Sequence, residues 1–333
     1  MPAIPMISRA GNVTLSVKSA ARSLAGRMYG AMPAFARQLK GKLLILMYHR
    51  VLPRADAAAT FVQPGMYVTP QTFERHLRFL TAHFELLSFR ELLTRWDAGQ
   101  WDDSARYCTL TFDDGWVDNH RYAFPLLRAY NVPATIFLPT GLIGTNDWLW
   151  TDRLGYLLDR GRRTGRAAAT DVDRAIEEAK GWPEAERDLC IRALAADLGV
   201  EVPRDRCFLD WNEVREMSNH GIEFGSHTST HAILTRLDEA RLATELRRPL
   251  ETLAERCQTV VPVLGYPNGD RSETVAAATR AAGYRAAVTT SPGAERGRPD
   301  DLFRLRRIGL HEDVTRSVPL LTFHIARQIG FSS

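Results

Sequence analysis

Two adjacent carboxylates, Asp113 and Asp114, stand between an apolar run and a glycine. The run at 107–112 predicts a buried strand, and Gly115 permits a sharp turn directly after the acids. The pair should therefore lie at the carboxyl end of a strand, where α/β folds usually place their chemistry. Two buried acids side by side need a positive partner, and a metal ion meets that need.

A second motif, about a hundred residues further on, offers two histidines. Residues 222–226 predict another short strand, and His227 and His231 follow it. We expect these rings, at i and i+4, to project from one side of a helical turn and to hold one ion. With Asp114 they would form a facial set of three ligands that leaves positions for water and substrate. Taken alone, the acid pair also fits a helix N-cap turn. Either histidine alone could also be a core residue whose hydrogen bonds are satisfied within the fold.

The composition is that of a globular protein with a sizeable core. The chain has 333 residues, of which 45% are apolar and 25% are charged, and its formal net charge is only +4. This length suits one large or two modest domains, and so small a charge gives no reason to expect a nucleic-acid partner. The four cysteines are scattered without a CxxC pair. We therefore expect no disulfide framework and no zinc finger, and a reducing compartment fits.

Residues 1–42 form a basic amphipathic arm. They contain seven basic residues and no acidic residue, so their local charge is +7. Because the formal net charge of the whole chain is +4, residues 43–333 carry −3. Apolar residues recur in the arm at helical spacing, namely Val17, Ala21, Leu24, Met28 and Met32. Two interpretations remain open: a helix on an anionic membrane surface, or a helix packed on the domain with a solvated basic face. We find no transmembrane or signal-peptide pattern, so we expect a cytoplasmic protein, peripheral at the inner membrane face under the first interpretation.

Beyond the arm, residues 43–333 read as one domain in which apolar runs alternate with amphipathic segments. Seven strands are predicted, at 43–48, 107–112, 134–138, 222–226, 261–266, 285–289 and 303–308. Helices are predicted to begin near 70 and 89 and to span about 118–129, 211–219, 238–256, 272–282 and 316–328. Residues 141–207 break the alternation and are interpreted as a helical insertion. The alternation predicts a parallel α/β barrel.

Together these motifs resemble those of the NodB-homology polysaccharide deacetylases, carbohydrate esterase family 4. The matching stretches are Thr-Phe-Asp-Asp-Gly at 111–115, His-Thr-Ser-Thr-His at 227–231 and Tyr-Pro-Asn-Gly-Asp at 266–270. Tyr-His-Arg-Val at 48–51 also resembles members that act in surface-polysaccharide synthesis. The resemblance implies a distorted (β/α)7 barrel of the NodB-like type, a divalent metal ion, commonly zinc, and hydrolysis of an N-acetyl group on a sugar.

The resemblance also assigns roles within the first two motifs. Asp113 matches the general base, and Asp114, His227 and His231 match the metal ligands. A bound ion lowers the pKa of its water to about 7 in favourable sites and polarises a carbonyl, while a carboxylate beside it can take the proton. Zinc suits this donor set best, although iron, cobalt and nickel also fit.

The third motif and the end of the domain differ from the usual family pattern. Residues 265–269 match the loop whose backbone N–H, here that of Asn268, helps to hold the oxyanion. Gly265 stands where many members have an arginine that steadies the base. Residues 308–311 align with a Leu-x-x-His motif, which would make His311 the general acid. The same stretch also resembles a version of the motif that lacks the histidine.

Four further residues are candidates for substrate contact, each with a structural alternative. Tyr266 belongs to the third motif. His49 follows the first predicted strand, where it would either line the site or have a purely structural role. Trp148 and Trp150 in the insertion would stack on a sugar ring or serve packing.

The leading hypothesis is a metal-dependent hydrolase that removes N-acetyl groups from an N-acetylated glycan during envelope or exopolysaccharide synthesis. A catalytically silent barrel that binds glycan or membrane is one alternative, favoured by the missing arginine and the basic arm. An amidase of similar fold that acts on a small non-sugar amide is another.

Overall fold

The computed structural model describes residues 10–31, 33–165 and 171–330. Its α-helices are α1 (Ala10–Ala31), α2 (Pro33–Gln38), α3 (Arg54–Ala59), α4 (Pro70–His83), α5 (Phe89–Asp97), α6 (Phe124–Ala129), α7 (Trp150–Arg163), α8 (Val172–Ala179), α9 (Glu184–Leu198), α10 (Trp211–Asn219), α11 (Glu239–Arg256), α12 (Glu273–Ala281), α13 (Glu312–Thr315) and α14 (Val318–Gln328). Helices α4 and α5 begin where they were predicted, and the Thr69 and Ser88 hydroxyls cap them by accepting bonds from the N–H groups three residues on.

The strands are β1 (Lys42–Tyr48), β2 (Arg50–Val51), β3 (Tyr67–Val68), β4 (Glu85–Leu86), β5 (Tyr107–Phe112), β6 (Ala134–Leu138), β7 (Glu223–Ser226), β8 (Val260–Gly265), β9 (Ala286–Val288), β10 (Glu295–Arg296) and β11 (Ile308–Gly309). Six of them pair in the order β1-β5-β6-β7-β8-β9, and every pair in this series is parallel. Because the strands are parallel, their carboxyl ends meet at one edge of the sheet. The predicted motifs follow β1, β5, β7 and β8 at that edge.

The segment from Leu305 to Gly309 connects the two ends of the curled sheet. Leu305 forms a parallel bridge with Val288 of β9, and β11 pairs parallel with β1. This arrangement confirms the predicted distorted α/β barrel. The last strand is shorter than the predicted 303–308, because Leu302–Arg304 form a 3-10 turn.

The central strands β5 and β6 are buried along their whole length, as expected for parallel strands covered on both faces. One buried acid, Glu223 of β7, stabilises the fold. Its carboxylate accepts hydrogen bonds from the N–H groups of Phe89 and Arg90. These bonds satisfy orphan donors at the start of α5 and fix that helix against the sheet.

The predicted insertion is helical in the residues that the structure describes between 141 and 207, where α7, α8 and α9 occur. The three helices bury an apolar cluster of their own that includes Leu157, Ile176 and Ile191. A side chain at Gly155 of α7 would collide with the ring of Phe61, which stands 2.2 Å from the position of its Cβ. The insertion therefore packs closely on the segment that precedes β3.

The N-terminal arm contains α1, which packs along α14 so closely that a Cβ at Gly26 would meet the Pro319 carbonyl oxygen at 1.7 Å. Leu24 and Met28 nevertheless remain 62% and 59% exposed. Two other residues of the predicted apolar face lie outside the described side chains, Val17 and Met32. Among the described residues, no helix is long and apolar enough to cross a membrane.

Candidate metal centre and active site

The structure brings Asp114, His227 and His231 together at the carboxyl edge of the sheet. Asp114 Oδ1 lies 3.4 Å from His227 Nε2 and 3.3 Å from His231 Nε2. The three potential ligand atoms lie within 4.8 Å of one another, and Asp114 and His227 are almost fully buried. One carboxylate and two imidazoles at this spacing fit a divalent ion such as zinc.

Hydrogen bonds behind this triad turn its lone pairs toward one point. His227 Nδ1 lies 2.6 Å from the Gly265 carbonyl oxygen. A carbonyl can only accept, so Nδ1 donates and Nε2 of the neutral ring is left as the ligating nitrogen. Trp116 Nε1 donates to Asp114 Oδ2 at 3.0 Å, which leaves Oδ1 toward the histidines. This orientation is what a metal site needs from the groups around it.

The electrostatics of the triad favour a bound cation. Burial alone would lower the pKa of His227, but the bond to Asp114 and the charges of Asp113 and Asp114 outweigh it, and the pKa rises. Burial alone would raise the pKa of Asp114, yet His227 and His231 hold it well below its usual range. The point between these side chains therefore attracts positive charge.

The two histidines lie on a loop, so the prediction of a helical turn is wrong. Thr228 and His231 have φ angles of 65° and 59°, outside the helical region. Among the described residues, five non-glycine positions have positive φ, and four belong to this site: Asp114, Thr228, His231 and Asn268. Such conformations cost about 1–3 kcal/mol each and persist only where the surrounding structure holds them.

Glu245 of α11 holds this loop in place. Its buried carboxylate accepts bonds from the backbone N–H groups of Ser229 at 2.8 Å and Thr230 at 3.0 Å, and from the Thr230 hydroxyl at 2.8 Å. On the other side, the Gly141 N–H donates to the Ser229 carbonyl at 2.8 Å. Tertiary hydrogen bonds thus satisfy the loop backbone in place of helical ones, which is why the i, i+4 spacing did not produce a helix.

Asp113 is held by Arg307, a residue that the sequence analysis missed. The guanidinium donates to both carboxylate oxygens, with Nη1 to Oδ1 at 2.7 Å and Nη2 to Oδ2 at 2.8 Å. Arg307 is almost entirely buried, and its Nε donates to the Thr289 carbonyl at 2.8 Å. Burial alone would raise the pKa of Asp113, but the charge of Arg307 outweighs it and the pKa falls. Asp113 is therefore an ionised acceptor at neutral pH.

The geometry explains why Gly265 stands where an arginine was expected. A Cβ at position 265 would lie 3.0 Å from His227 Nδ1. A glycine at this position therefore leaves room for the His227 ring, which the Gly265 carbonyl orients. The Asp113 carboxylate is held instead by Arg307, from the segment that joins β9 to β1. A signal was present in the sequence, because a buried strand predicted over 303–308 contains arginines that need partners.

A cavity of about 220 Å³ opens over the triad and Asp113. His49 and Asn268 line it, where the sequence analysis expected them. His49 Nε2 lies 3.8 Å from Asp113 Oδ2, and burial lowers its pKa despite the opposing charge of Asp113. The Thr290 hydroxyl donates to the Asn268 carbonyl at 3.1 Å, which fixes the orientation of that turn.

The insertion contributes Asp152 and Lys180 to the same cavity, and neither was singled out in the sequence. Burial raises the pKa of Asp152 to about 7; the charge of Asp114 also raises it, whereas Arg50 opposes the rise. Arg50 is held by Asp118, with 2.8 Å between Nε and Oδ2. The cavity therefore contains a carboxyl group that titrates near neutral pH. No sequence pattern indicated which face of the insertion covers the site.

His311 and Tyr266 do not line this cavity. His311 lies instead in a separate cavity of about 590 Å³ beside α14, with Arg316 and His324. Tyr266 has no exposed surface; it packs among apolar residues and its hydroxyl donates to the Phe303 carbonyl at 3.3 Å. These placements argue against proton donation by His311 and against substrate contact by Tyr266.

The two insertion tryptophans line a neighbouring cavity of about 410 Å³. Trp150 is mostly buried, and the Arg187 guanidinium lies 4.2 Å from its ring centroid. Trp148 donates from its indole to the Asp205 carbonyl at 3.3 Å. They therefore lie beside the cavity that holds the triad and do not form its wall.

Comparison with known proteins agrees with this architecture. Residues 101–287 match the family model for polysaccharide deacetylases. Over 270 residues the chain is 23% identical to YxkH of Bacillus subtilis, which is assigned to the polysaccharide deacetylases, covering 80% of this chain and 71% of that one. Over 118 residues it is 30% identical to the poly-beta-1,6-N-acetyl-D-glucosamine N-deacetylase of Staphylococcus epidermidis, covering 33% of this chain and 40% of that one.

Solved structures show the same fold. The deacetylase PplD of Streptococcus pyogenes, solved in complex with acetate, superposes with a TM-score of 0.57 at 21% identity, covering 85% of this chain and 98% of that one. A polysaccharide deacetylase from Bacillus cereus superposes with a TM-score of 0.56 at 21% identity, covering 85% of this chain and 69% of that one. Because the family model spans more than half of the residues, the chain belongs to the polysaccharide deacetylase family. It is accordingly a hydrolase of amide bonds.

Proposed function

We propose that the protein is a metal-dependent N-deacetylase of a glycan that contains N-acetylglucosamine. The observation that carries this proposal is one cavity that joins three potential metal ligands to a carboxylate held by a bidentate arginine. An N-acetylated glycan is the substrate class that the family implies, and the named activity of the Staphylococcus epidermidis relative favours N-acetylglucosamine within that class.

Asp114, His227 and His231 would hold the ion. When bound there, a divalent ion lowers the pKa of a water molecule and polarises the amide carbonyl. Asp113 points its ionised carboxylate into the same cavity and can take the proton that the attacking water releases. Arg307 keeps Asp113 ionised and oriented. The Asn268 backbone beside the triad is the proposed donor to the oxyanion that forms on the carbonyl.

The leaving amine needs a proton, and we assign its delivery to His49 in preference to His311: the proton that Asp113 takes from water passes to His49 and from there to the amine. His49 lies in the cavity, 3.8 Å from Asp113, whereas His311 lines another cavity. Replacing His49 by alanine should lower kcat by about 100-fold, which is within the usual range for general acid–base catalysis. His311→Ala should leave kcat within about twofold of the wild type. The reverse pattern would restore the assignment to His311.

Two alternatives are separated by one assay. A silent barrel would not require Asp113 to be kept ionised by a buried bidentate arginine, so this pair favours an enzyme. A small-amide hydrolase would not require the extended cavity that the insertion adds beside the site.

The assay is acetate release by the zinc-loaded full chain from a β-1,6-linked N-acetylglucosamine pentasaccharide, from N-acetylglucosamine and from a small acetamide. We expect release from the pentasaccharide, loss of that release in Asp113→Asn, and little release from the two small substrates. Efficient hydrolysis of the acetamide would favour the amidase. Release from none of the three, or equal release by Asp113→Asn, would contradict the proposal.

A further inference from the structure

The insertion forms a groove that adjoins the cavity over the triad. This groove, about 410 Å³ in volume, lies between α7, α9 and the loop after β7. It shares Leu149, Lys180 and His231 with the cavity over the triad. A glycan whose N-acetyl group lies at the triad would therefore extend its neighbouring unit into this groove.

The groove carries an excess of positive charge. Its walls include five basic and three acidic side chains, namely Arg153, Lys180, Arg187, Arg236, Arg241, Asp147, Glu184 and Asp188. Three of the basic side chains are paired, Arg153 with Asp188 at 2.8 Å, Arg241 with Glu184 at 2.7 Å and Lys180 with Glu177 at 2.5 Å. Within the described part of the chain, Arg187 forms no ion pair, although its neighbours do.

Arg187 is held by Trp150 at the wall of the groove. Its guanidinium stacks on the Trp150 ring at 4.2 Å, which fixes the plane of the fork. Its buried Nε has no hydrogen-bond partner. Burial also lowers the pKa of Arg187, against the attraction of Glu184 and Asp188. A half-buried guanidinium with an unused donor is costly unless a ligand oxygen satisfies it.

The groove also offers aromatic surface for a sugar. Trp148 and Trp182 line it, and Trp182 is 42% exposed. Sugar sites commonly combine such apolar ring faces with a few fixed polar groups. A solvated basic face, the ordinary role of surface arginines, would not need Arg187 to be half-buried and stacked on a tryptophan.

We propose that this groove binds an anionic saccharide unit joined to the N-acetylated sugar, with the Arg187 guanidinium on its carboxylate or phosphate oxygens. The inference rests on the proposed function for the placement of the N-acetyl group. Both kinds of anion present paired oxygens that a guanidinium fork binds well. The preferred substrate would then be an N-acetylated glycan that carries a carboxylate or phosphate beside the N-acetylated sugar, and a neutral homopolymer would be a weaker substrate.

The test is calorimetric binding to the zinc-loaded full chain. One pair of probes is a hyaluronan tetrasaccharide, which alternates N-acetylglucosamine with glucuronate, and its carboxyl-reduced form. A second pair is uridine diphosphate N-acetylglucosamine and free N-acetylglucosamine. The proteins are the wild type, Arg187→Met, and the matched control Arg192→Met, at an exposed position on the same helix.

We expect one anionic probe to bind at least about 10-fold more tightly than its neutral partner. Arg187→Met should abolish that difference, and Arg192→Met should preserve it. Preference for the tetrasaccharide would identify a carboxylate on the glycan, and preference for the nucleotide sugar would identify phosphate. Equal affinity for charged and neutral probes, or a preference that survives Arg187→Met, would overturn the inference. Acetate release is measured separately, so anion-selective binding without release would contradict only the proposed function.

Discussion

Asp113 and Arg307 form a buried ion pair whose main consequence is chemical. Burying a charge pair gives little net stability, because desolvation offsets the attraction. The two parallel bonds instead fix the plane and the charge of the carboxylate. This arrangement suits a base that must stay ionised in a cavity where burial alone would favour its protonated form.

Replacing Arg307 by lysine keeps the charge but removes the bidentate fork. We expect kcat to fall by about 100-fold with little change in KM, because a mispositioned base loses proton transfer and not ground-state binding. Zinc affinity should stay within about threefold, since Arg307 does not touch the three ligands. Steady-state kinetics and calorimetry check this, with the neighbouring half-exposed Arg306→Lys as control. Wild-type kcat in Arg307→Lys would contradict the assigned role.

Asp152 gives a pH-dependent prediction for stability. Its folded pKa is about 7, whereas an unfolded aspartate has a pKa of about 3.9. The folded chain therefore binds the extra proton, so stability decreases as pH rises toward 7 and is regained as pH falls toward 4. Asp152→Asn should be more stable than the wild type near pH 8, and this gain should shrink toward pH 4.5. Urea unfolding at both pH values checks it, with Asp147→Asn as control; a gain independent of pH would refute the shift.

Residue types and spacing predicted the side chains that follow strands, because parallel strands gather their carboxyl ends at one edge. Asp113, Asp114, His227 and His231 were found in this way. Arg307 was missed, since pairing across the barrel depends on which distant strands become neighbours. His311 was placed by motif order alone, and motif order does not fix which side of a loop a residue faces.

At the scale of elements, the site depends on loops held by bonds from distant residues. The loop after β7 has positive φ at Thr228 and His231, and Glu245 of α11 satisfies its backbone. A carboxylate that accepts three hydrogen bonds can offset the conformational cost of such a loop. Glu245 touches no ligand directly, so its role is to position His231.

Glu245→Gln should weaken zinc binding by about 10-fold, because an amide accepts fewer and weaker bonds than a carboxylate, and loss of supporting contacts typically costs 10–100-fold in metal affinity. Glu251→Gln, at an exposed position on the same helix, should leave the affinity unchanged. Competition with a chromophoric chelator measures both. An unchanged zinc affinity in Glu245→Gln would show that the loop holds its shape without that carboxylate.

Strand and helix positions were largely predictable, because β5 and β6 are continuous apolar runs and several helices begin at caps that can be read in the sequence. The prediction failed where tertiary bonds replaced local ones. The two histidines have helical spacing, but their loop lacks helical hydrogen bonds. The segment predicted as the last strand pairs first with β9 and then with β1, so the strand β11 is shorter than predicted.

At the scale of the whole molecule, the curled sheet places residues that follow β1, β5, β7, β8 and β9 in one cavity, and Arg307 of the closing segment holds Asp113 from behind it. The insertion adds a wall that carries Asp152 and Lys180 and adjoins the groove that contains Arg187. Composition predicted that this segment is helical, but not which of its faces covers the site. That face is set by packing of α7 on Phe61, a contact that no local pattern encodes.

The central claim is that Asp114, His227 and His231 bind one divalent ion. The direct measurement is a calorimetric zinc titration of the metal-stripped full chain, compared with Asp114→Ala, His231→Ala and, as control, His220→Ala at an exposed position. We predict one-to-one binding in the wild type and in His220→Ala, and its loss in both ligand variants, since each removes one of the three proposed ligands. Absence of binding in the wild type, or binding that survives both ligand substitutions, would contradict the assembled metal site and favour the silent barrel.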